Sequence, residues 1–397
     1  MRIAYVCADA GVPIFGHKGC SVHVQEMVRA LQRHGASVDV FAASVAGAPT
    51  PGLESLQVHR LPRVGDGEPV SHAPLVTALN VELAAALDRA GPYDLVYERY
   101  SLWSFAGMEY ARAAGTPGLL EVNAPLIEEQ AVFRGLRDAA AATRAAGRVF
   151  QAADALLAVS AEVATWLERF PSGRRPVHVL PNGVDPERFR PDVAPADPGP
   201  LGTYTVGFVG SMKPWHGLNV LIEAFARLHA RVAATRLLLV GGGPEDAAVR
   251  TALADRGLMP ACRLVGAVSP DEVPAFLTSM DAAVAPYPEP ERFYFSPLKV
   301  YEYLAAGRAI VASGVGQLKT VIQPEVNGLL CPPGDAMALA DALERLQREP
   351  QLRARLGRDA RASVLRSHTW EQVAARVLHV GRTATRRGRE RRTGARA

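Results

Sequence analysis

The chain has 397 residues, 48% of them hydrophobic, with 35 Gly and 30 Pro, which is enough for two or three domains with full cores. Its formal net charge of +4 is unevenly placed: from Arg382 onward seven Arg stand against one Glu, so the body is close to neutral and gives no sign of a nucleic-acid-binding surface. The four Cys form no CxxC pair, which disfavours a zinc site and fits reduced thiols, and no run reaches the ~18 apolar residues of a membrane-spanning helix.

The opening "MRIAYVCADAG" has neither a basic start nor a long apolar core, so it reads as a first strand and not as a signal peptide. After "RIAYVC", the runs "SVDVFA", "YDLVYE", "GLLEV" and "ALLAVS" also read as buried strands, with helical patterns over 21–34, 72–90 and 101–114. That alternation predicts a parallel sheet with helices on both faces. A Pro-rich stretch over 185–202 is the expected linker. The pattern then restarts with strands "TYTVGFVG", "TRLLLVGGG", "CRLVG", "DAAVAP" and "RAIVAS", and helices near 217–231, 244–256, 271–279 and 297–306. The expectation is an α/β protein of two doubly wound, Rossmann-like units facing across a cleft, about 1–190 and 200–369. A basic segment, 386–397, is expected to be a frayed end. In such sheets ligands sit outside the carboxyl ends of the strands.

Four turns in the second half are suited to phosphate. "VGSMKPWHGL" (209–218) offers Gly210, Ser211 and Lys213 before a helix, "VGGGPED" (240–246) includes Gly242, "ASGVGQ" spans 312–317, and "FSPLK" ends at Lys299. Small residues at strand-to-helix turns let backbone N–H groups approach an anion, and the helix dipole favours it; an ordinary tight βα turn is the alternative for each. In "SPLK", Ser296 is the expected N-cap and Pro297 the first helical residue. Lys299 in the first turn opposes the dipole unless an anion completes the charge. Glu302 lies three residues on, on the same stripe, either paired with Lys299 on a solvated face or accepting hydrogen bonds from ligand hydroxyls. In the first half, "GVPIFGHKGCSVHVQEM" (11–27) is a glycine loop with Gly16 and Gly19, suited to closing over a substrate or simply a long surface connection. His17, His23 and His216 lie near the inferred rims without a metal spacing. Asp9, Glu98, Glu121, Glu128 and Glu129 follow or end strands, where an acceptor could be held. No nucleophile elbow is present, which disfavours an acyl-enzyme route.

Together with "VLPNGVDPERFRP", "SPLKVYEYLAAGRAIVAS" and "VNGLLCPPGD", these segments resemble the retaining glycosyltransferases of family GT4, with the GT-B fold, over about 1–370. The resemblance implies an N-terminal acceptor domain, a C-terminal donor domain for a UDP- or GDP-sugar, and a final helix near 370–385 returning to the first domain. It implies no metal and no cofactor beyond the nucleotide-sugar. Lys213 and Lys299 would bind the diphosphate, helped by Gly210, Ser211, Ser296, Pro297 and Leu298. Glu302 would hold the ribose, and Val265 and Gly266 would frame the base. Gly16, His17, Gly19 and Asn123 would serve the acceptor. Three departures accompany it. Ser211 and His216 stand at the family's usual Arg and Lys, Tyr294 at the first Glu of its Glu-x7-Glu pair, and Asn123 at its frequent active-site His. Lys213, Lys299 and Asn123 are therefore the catalytic candidates. The expected reaction is sugar transfer to a hydroxyl of a small-molecule, glycan or lipid-linked acceptor, in the cytoplasm or at the inner membrane surface. Epimerisation, non-glycosidic coupling and binding without turnover are the alternatives.

Overall fold

The structure, a computed structural model, describes all residues except 65–71, 134, 171–174, 289–292 and 395–397. The chain forms two compact units. The first comprises Met1–Asn182, Tyr294–Ser296 and Trp370–Ala397, and the second Gly183–Phe293 and Pro297–Thr369.

The first unit holds a seven-stranded sheet of β1 (Arg2–Cys7), β2 (Ser37–Ala42), β3 (Gln57–Arg60), β4 (Leu95–Arg99), β5 (Gly118–Val122), β6 (Ala155–Ala158) and β7 (Val177–Val179). The order is β3-β2-β1-β4-β5-β6-β7, and every pair is parallel. Its central strands are continuous apolar runs because a parallel sheet is covered on both faces. The strands β3 and β7, which carried no apolar run, are the two half-exposed edges. The helix expected over 101–114 begins at Ala106. Ser104 turns its hydroxyl to Glu98, and Asn80 Oδ1 accepts from the N–H groups of Phe105 and Ala106, so the helix is capped from another element.

The second unit repeats the architecture with β8 (Tyr204–Val209), β9 (Thr235–Val240), β10 (Cys262–Gly266), β11 (Ala282–Ala285), β12 (Ala309–Ser313) and β13 (Leu329–Cys331). The order β10-β9-β8-β11-β12-β13 is again all parallel. The strand order reverses between β1 and β4 in one sheet and between β8 and β11 in the other, and these are the switch points where ligands are expected. The Pro-rich stretch expected as a linker packs onto the second unit: Phe189 is buried, and the Arg361 guanidinium donates to the carbonyls of Pro186, Phe189 and Ala305. The last helix, Trp370–Gly394, groups with the first unit and buries Trp370, Val373, Ala374 and Val377. Its backbone is helical through most of the basic segment that was expected to fray.

At the carboxyl ends of β8 and β9 two backbones meet. Gly241, at φ +130°, would put a Cβ 1.9 Å from Gly210 O. Gly241→Ala is therefore expected to cost about 2 kcal/mol or more, read as a fall in the thermal unfolding midpoint.

Candidate functional site

The second unit's switch point is built around Lys299. Its helix spans Leu298–Ala305 with Pro297 as N-cap, not Ser296 as expected, and no side chain caps it. Lys299 Nζ is buried without a hydrogen-bond partner among the described residues. It lies 4.1 Å from the Phe208 ring centroid and 5.6 Å from that of Tyr287, a cation–π setting that compensates only part of the lost hydration. Burial pushes the ammonium down to about 7, with Glu302 opposing that fall. Gly210 is the neighbour that leaves room, since a Cβ there would stand 2.7 Å from Lys299 Nζ.

His216 comes from the turn after β8. Its Nδ1 meets the Ser211 carbonyl; a carbonyl only accepts, so Nδ1 carries the proton and Nε2 is an acceptor. Burial, then the charges of Lys299 and Lys213, push the imidazole down to about 3, so it is neutral near pH 7. A neutral ring presenting an acceptor cannot replace a phosphate-binding lysine. Lys213, with Nζ 5.7 Å from the Trp215 ring centroid, is the cation of this turn. The Gly210 N–H already donates to Val240 O, so Gly210 contributes space and no free donor. Gly242 O accepts from Met212 N at 3.1 Å, and Gly241 N donates to Gly266 O at 2.8 Å. These bonds tie the Gly242 turn and the Val265–Gly266 end of β10 to the Lys213 turn.

In the first unit the parallel register places Tyr5 beside Tyr97, Cys7 beside Arg99, and Arg99 beside Glu121 on one face. His23, on the helix Gly19–Arg33, meets them. His23 Nε2 lies 2.8 and 3.0 Å from the two Glu121 oxygens, and Nδ1 lies 2.9 Å from Asn182 Oδ1. Asn182 Nδ2 donates to Ser296 O at 2.6 Å, which fixes the amide, so Oδ1 accepts. With Glu121 ionised, both ring nitrogens donate and His23 is an imidazolium. Arg99 Nη1 stands 3.6 Å from Glu121. Burial alone would raise the Glu121 carboxyl, but His23 and Arg99 hold it down at about 2. Asn123, half-buried after β5, has no hydrogen-bond partner for its Nδ2 among the described residues, although its side chain also favours the Glu121 carboxylate. Glu98 points to the opposite face of the sheet, where Ser104 Oγ donates to it at 2.6 Å.

The glycine loop is less free than expected. Val12, Ile14 and Phe15 are buried, and the Gln25 amide donates to the carbonyls of Ile14 and Gly16. His17 is exposed and Gly19 begins the helix. Asp9 closes a local turn on Gly11 N, and Glu128 takes Trp166 Nε1 and Arg169. Tyr294 and Ser296, expected at the donor, are hydrogen-bonded to Glu129, Ser160 and Asn182, which like them belong to the first unit. Asn182 and Arg99 were missed as individual residues. The only signal was that Asn182 lies in the quoted "VLPNGVDPERFRP" segment.

Two family profiles match, one described as Glycosyltransferase Family 4 over residues 17–188 and one as Glycosyl transferases group 1 over residues 203–349. The D-inositol 3-phosphate glycosyltransferase of Xylanimonas cellulosilytica is 30% identical over 93% of this chain and 92% of its own. The chain belongs to glycosyltransferase family 4. This family 4 glycosyltransferase is also 28% identical to the D-inositol 3-phosphate glycosyltransferase of Saccharomonospora viridis, over 92% of this chain and 89% of that one. Among solved structures, HepE of Anabaena in complex with UDP superposes with a TM-score of 0.74 at 19% identity, covering 96% of this chain and 99% of that one. Sucrose-phosphate synthase from Thermosynechococcus elongatus does so with 0.73 at 22%, covering 96% and 98%. The fold of this glycosyltransferase is therefore GT-B, as the sequence led us to expect. Among its described residues no helix is long and apolar enough to cross a membrane.

Proposed function

We propose that this glycosyltransferase moves a sugar from a UDP-sugar to a hydroxyl of a small polyol-type acceptor, with retention of configuration and without a divalent metal. The observation that carries the reading is the buried Lys299 ammonium, without a hydrogen-bond partner among the described residues, in the first turn of a helix at the switch point of the second sheet. A diphosphate at that point would supply the missing acceptors, relieve the clash with the helix dipole, and draw on Lys213 as a second cation. UDP is favoured over GDP by the neighbour solved with UDP and again with UDP-glucose. A small polyol acceptor is favoured by relatives named for D-inositol 3-phosphate.

In the proposed front-face step the acceptor oxygen bonds to the anomeric carbon as the bond to the diphosphate breaks, on the same face of the sugar. The acceptor proton passes to the departing phosphate oxygen. Lys299 and Lys213 lower the barrier by stabilising the charge that grows on the diphosphate. Glu302, three residues from Lys299 on the same helix, would accept from ribose hydroxyls in this reading.

UDP-glucose, UDP-N-acetylglucosamine and GDP-mannose should be incubated with the protein and an inositol phosphate, with and without EDTA, and nucleoside diphosphate release measured. The expected result is acceptor-dependent release from a UDP-sugar only, insensitive to EDTA, giving an α-linked product by NMR. UDP binding without release, a β-linked product, or loss of activity in EDTA would each overturn the corresponding part.

A further inference from the structure

Tyr294, Phe295 and Ser296 lie within the second unit's stretch of sequence, yet their contacts place them in the first unit. Hydrogen bonds explain this. Asn182 N donates to Ser296 Oγ at 3.0 Å, and Asn182 Nδ2 donates to Ser296 O at 2.6 Å. Ser160 Oγ donates to Tyr294 O at 2.9 Å, while Tyr294 OH donates to Glu129 Oε2 at 2.9 Å. The Tyr294 ring packs on the first unit's core. Asn182 cannot turn away, because its Oδ1 receives His23 Nδ1 and the far side of that ring is held by Glu121. Asn182, Ser160, His23 and Glu121 are all buried.

From Ser296 the chain has only Pro297, fixed near φ −75°, and Leu298 to cross before Lys299. We propose that Asn182 is a positioning residue for donor binding. By fixing Tyr294–Ser296 on the first unit, it sets the entry of the helix Leu298–Ala305 and so the presentation of the Lys299 ammonium. The inference rests on the reading of Lys299 as a diphosphate ligand. A segment ordered before the ligand arrives does not have to be ordered by it, and that difference appears in affinity.

The test uses the full chain with UDP as the probe, binding read by calorimetry and backbone motion by amide hydrogen exchange. Asn182→Ala should weaken UDP binding about tenfold and speed exchange at the amides of residues 294–300, with β1 and β4 unchanged. Asn182→Asp keeps an acceptor for His23 but turns a carboxylate toward Ser296 O, so it should behave like Asn182→Ala. That outcome separates the strap from any general support of His23. Tyr294→Phe, which deletes one oxygen, should weaken UDP binding about threefold, and it decides the matter should the Asn182 variants fail to fold. Wild-type affinity in Asn182→Asp and Tyr294→Phe would overturn the inference alone. A wild-type protein that binds neither UDP nor GDP would instead overturn the donor reading beneath it.

Discussion

Lys299→Met is expected to lower kcat/KM for the UDP-sugar by at least about 10²-fold and yet to raise the unfolding midpoint of the ligand-free protein. Both effects come from one atom. Without ligand, the Lys299 ammonium is buried against Phe208 and Tyr287 with no hydrogen-bond partner among the described residues, so methionine of similar length removes a penalty and keeps the packing. The gain is expected to be about 1 kcal/mol, or roughly 2–4 °C. With ligand, the same ammonium would be the charge nearest the departing diphosphate.

The pH dependence has a definite sign. The folded group is pushed down to about 7 from an ordinary value of 10.5, so between those values the unfolded chain binds the extra proton. Wild-type stability relative to Lys299→Met should therefore rise with pH from about 7 to 10.5, with the full penalty below 7. UDP binding above pH 7 should take up a proton, seen by calorimetry in buffers of different ionisation enthalpy, and the uptake should vanish in the variant. Unchanged turnover, or a lower unfolding midpoint, would overturn this account.

Glu121→Ala should produce the largest stability loss, about 3–5 kcal/mol, measured by denaturant unfolding. It would leave the buried His23 ring and the Arg99 guanidinium facing each other without their shared carboxylate. Because the carboxyl is held at about 2 against an ordinary 4.5, its contribution is complete above pH 4.5 and is lost as the pH falls toward 2. Glu121→Gln should therefore lose less stability than wild type across that acid range. A loss below about 1 kcal/mol in Glu121→Ala would mean that water already screens the two cations.

Central strands were legible because burial on both faces leaves apolar runs such as "YTVGFV", buried throughout. The edges β3 and β7 carry no such run, and the start of the helix at Ala106 depends on Asn80, 26 residues away. Lys299 was legible because a cation in a first helical turn contradicts the dipole locally, within a few residues. The aromatic rings around it were not, since Phe208 reaches it from another strand. The His23–Asn182 contact spans 159 residues and the Asn182–Ser296 contact 114, and no local pattern records such a meeting. Ser296 shows the limit well: its local signature is that of an N-cap, but its hydroxyl is committed to Asn182.

The helix Trp370–Gly394 has a consequence for how the molecule comes into being. It buries Trp370 against His23, with ring centroids 5.0 Å apart, and it belongs to the unit that the ribosome begins first. Domains emerging during synthesis generally fold as they appear. Here the leading unit must wait for its last helix, and for three strap residues, until the second unit has been made. The second unit can close before the first is complete. A graft of the second unit from another chain would accordingly need two separate inserts, 183–293 and 297–369, with the strap between them left native.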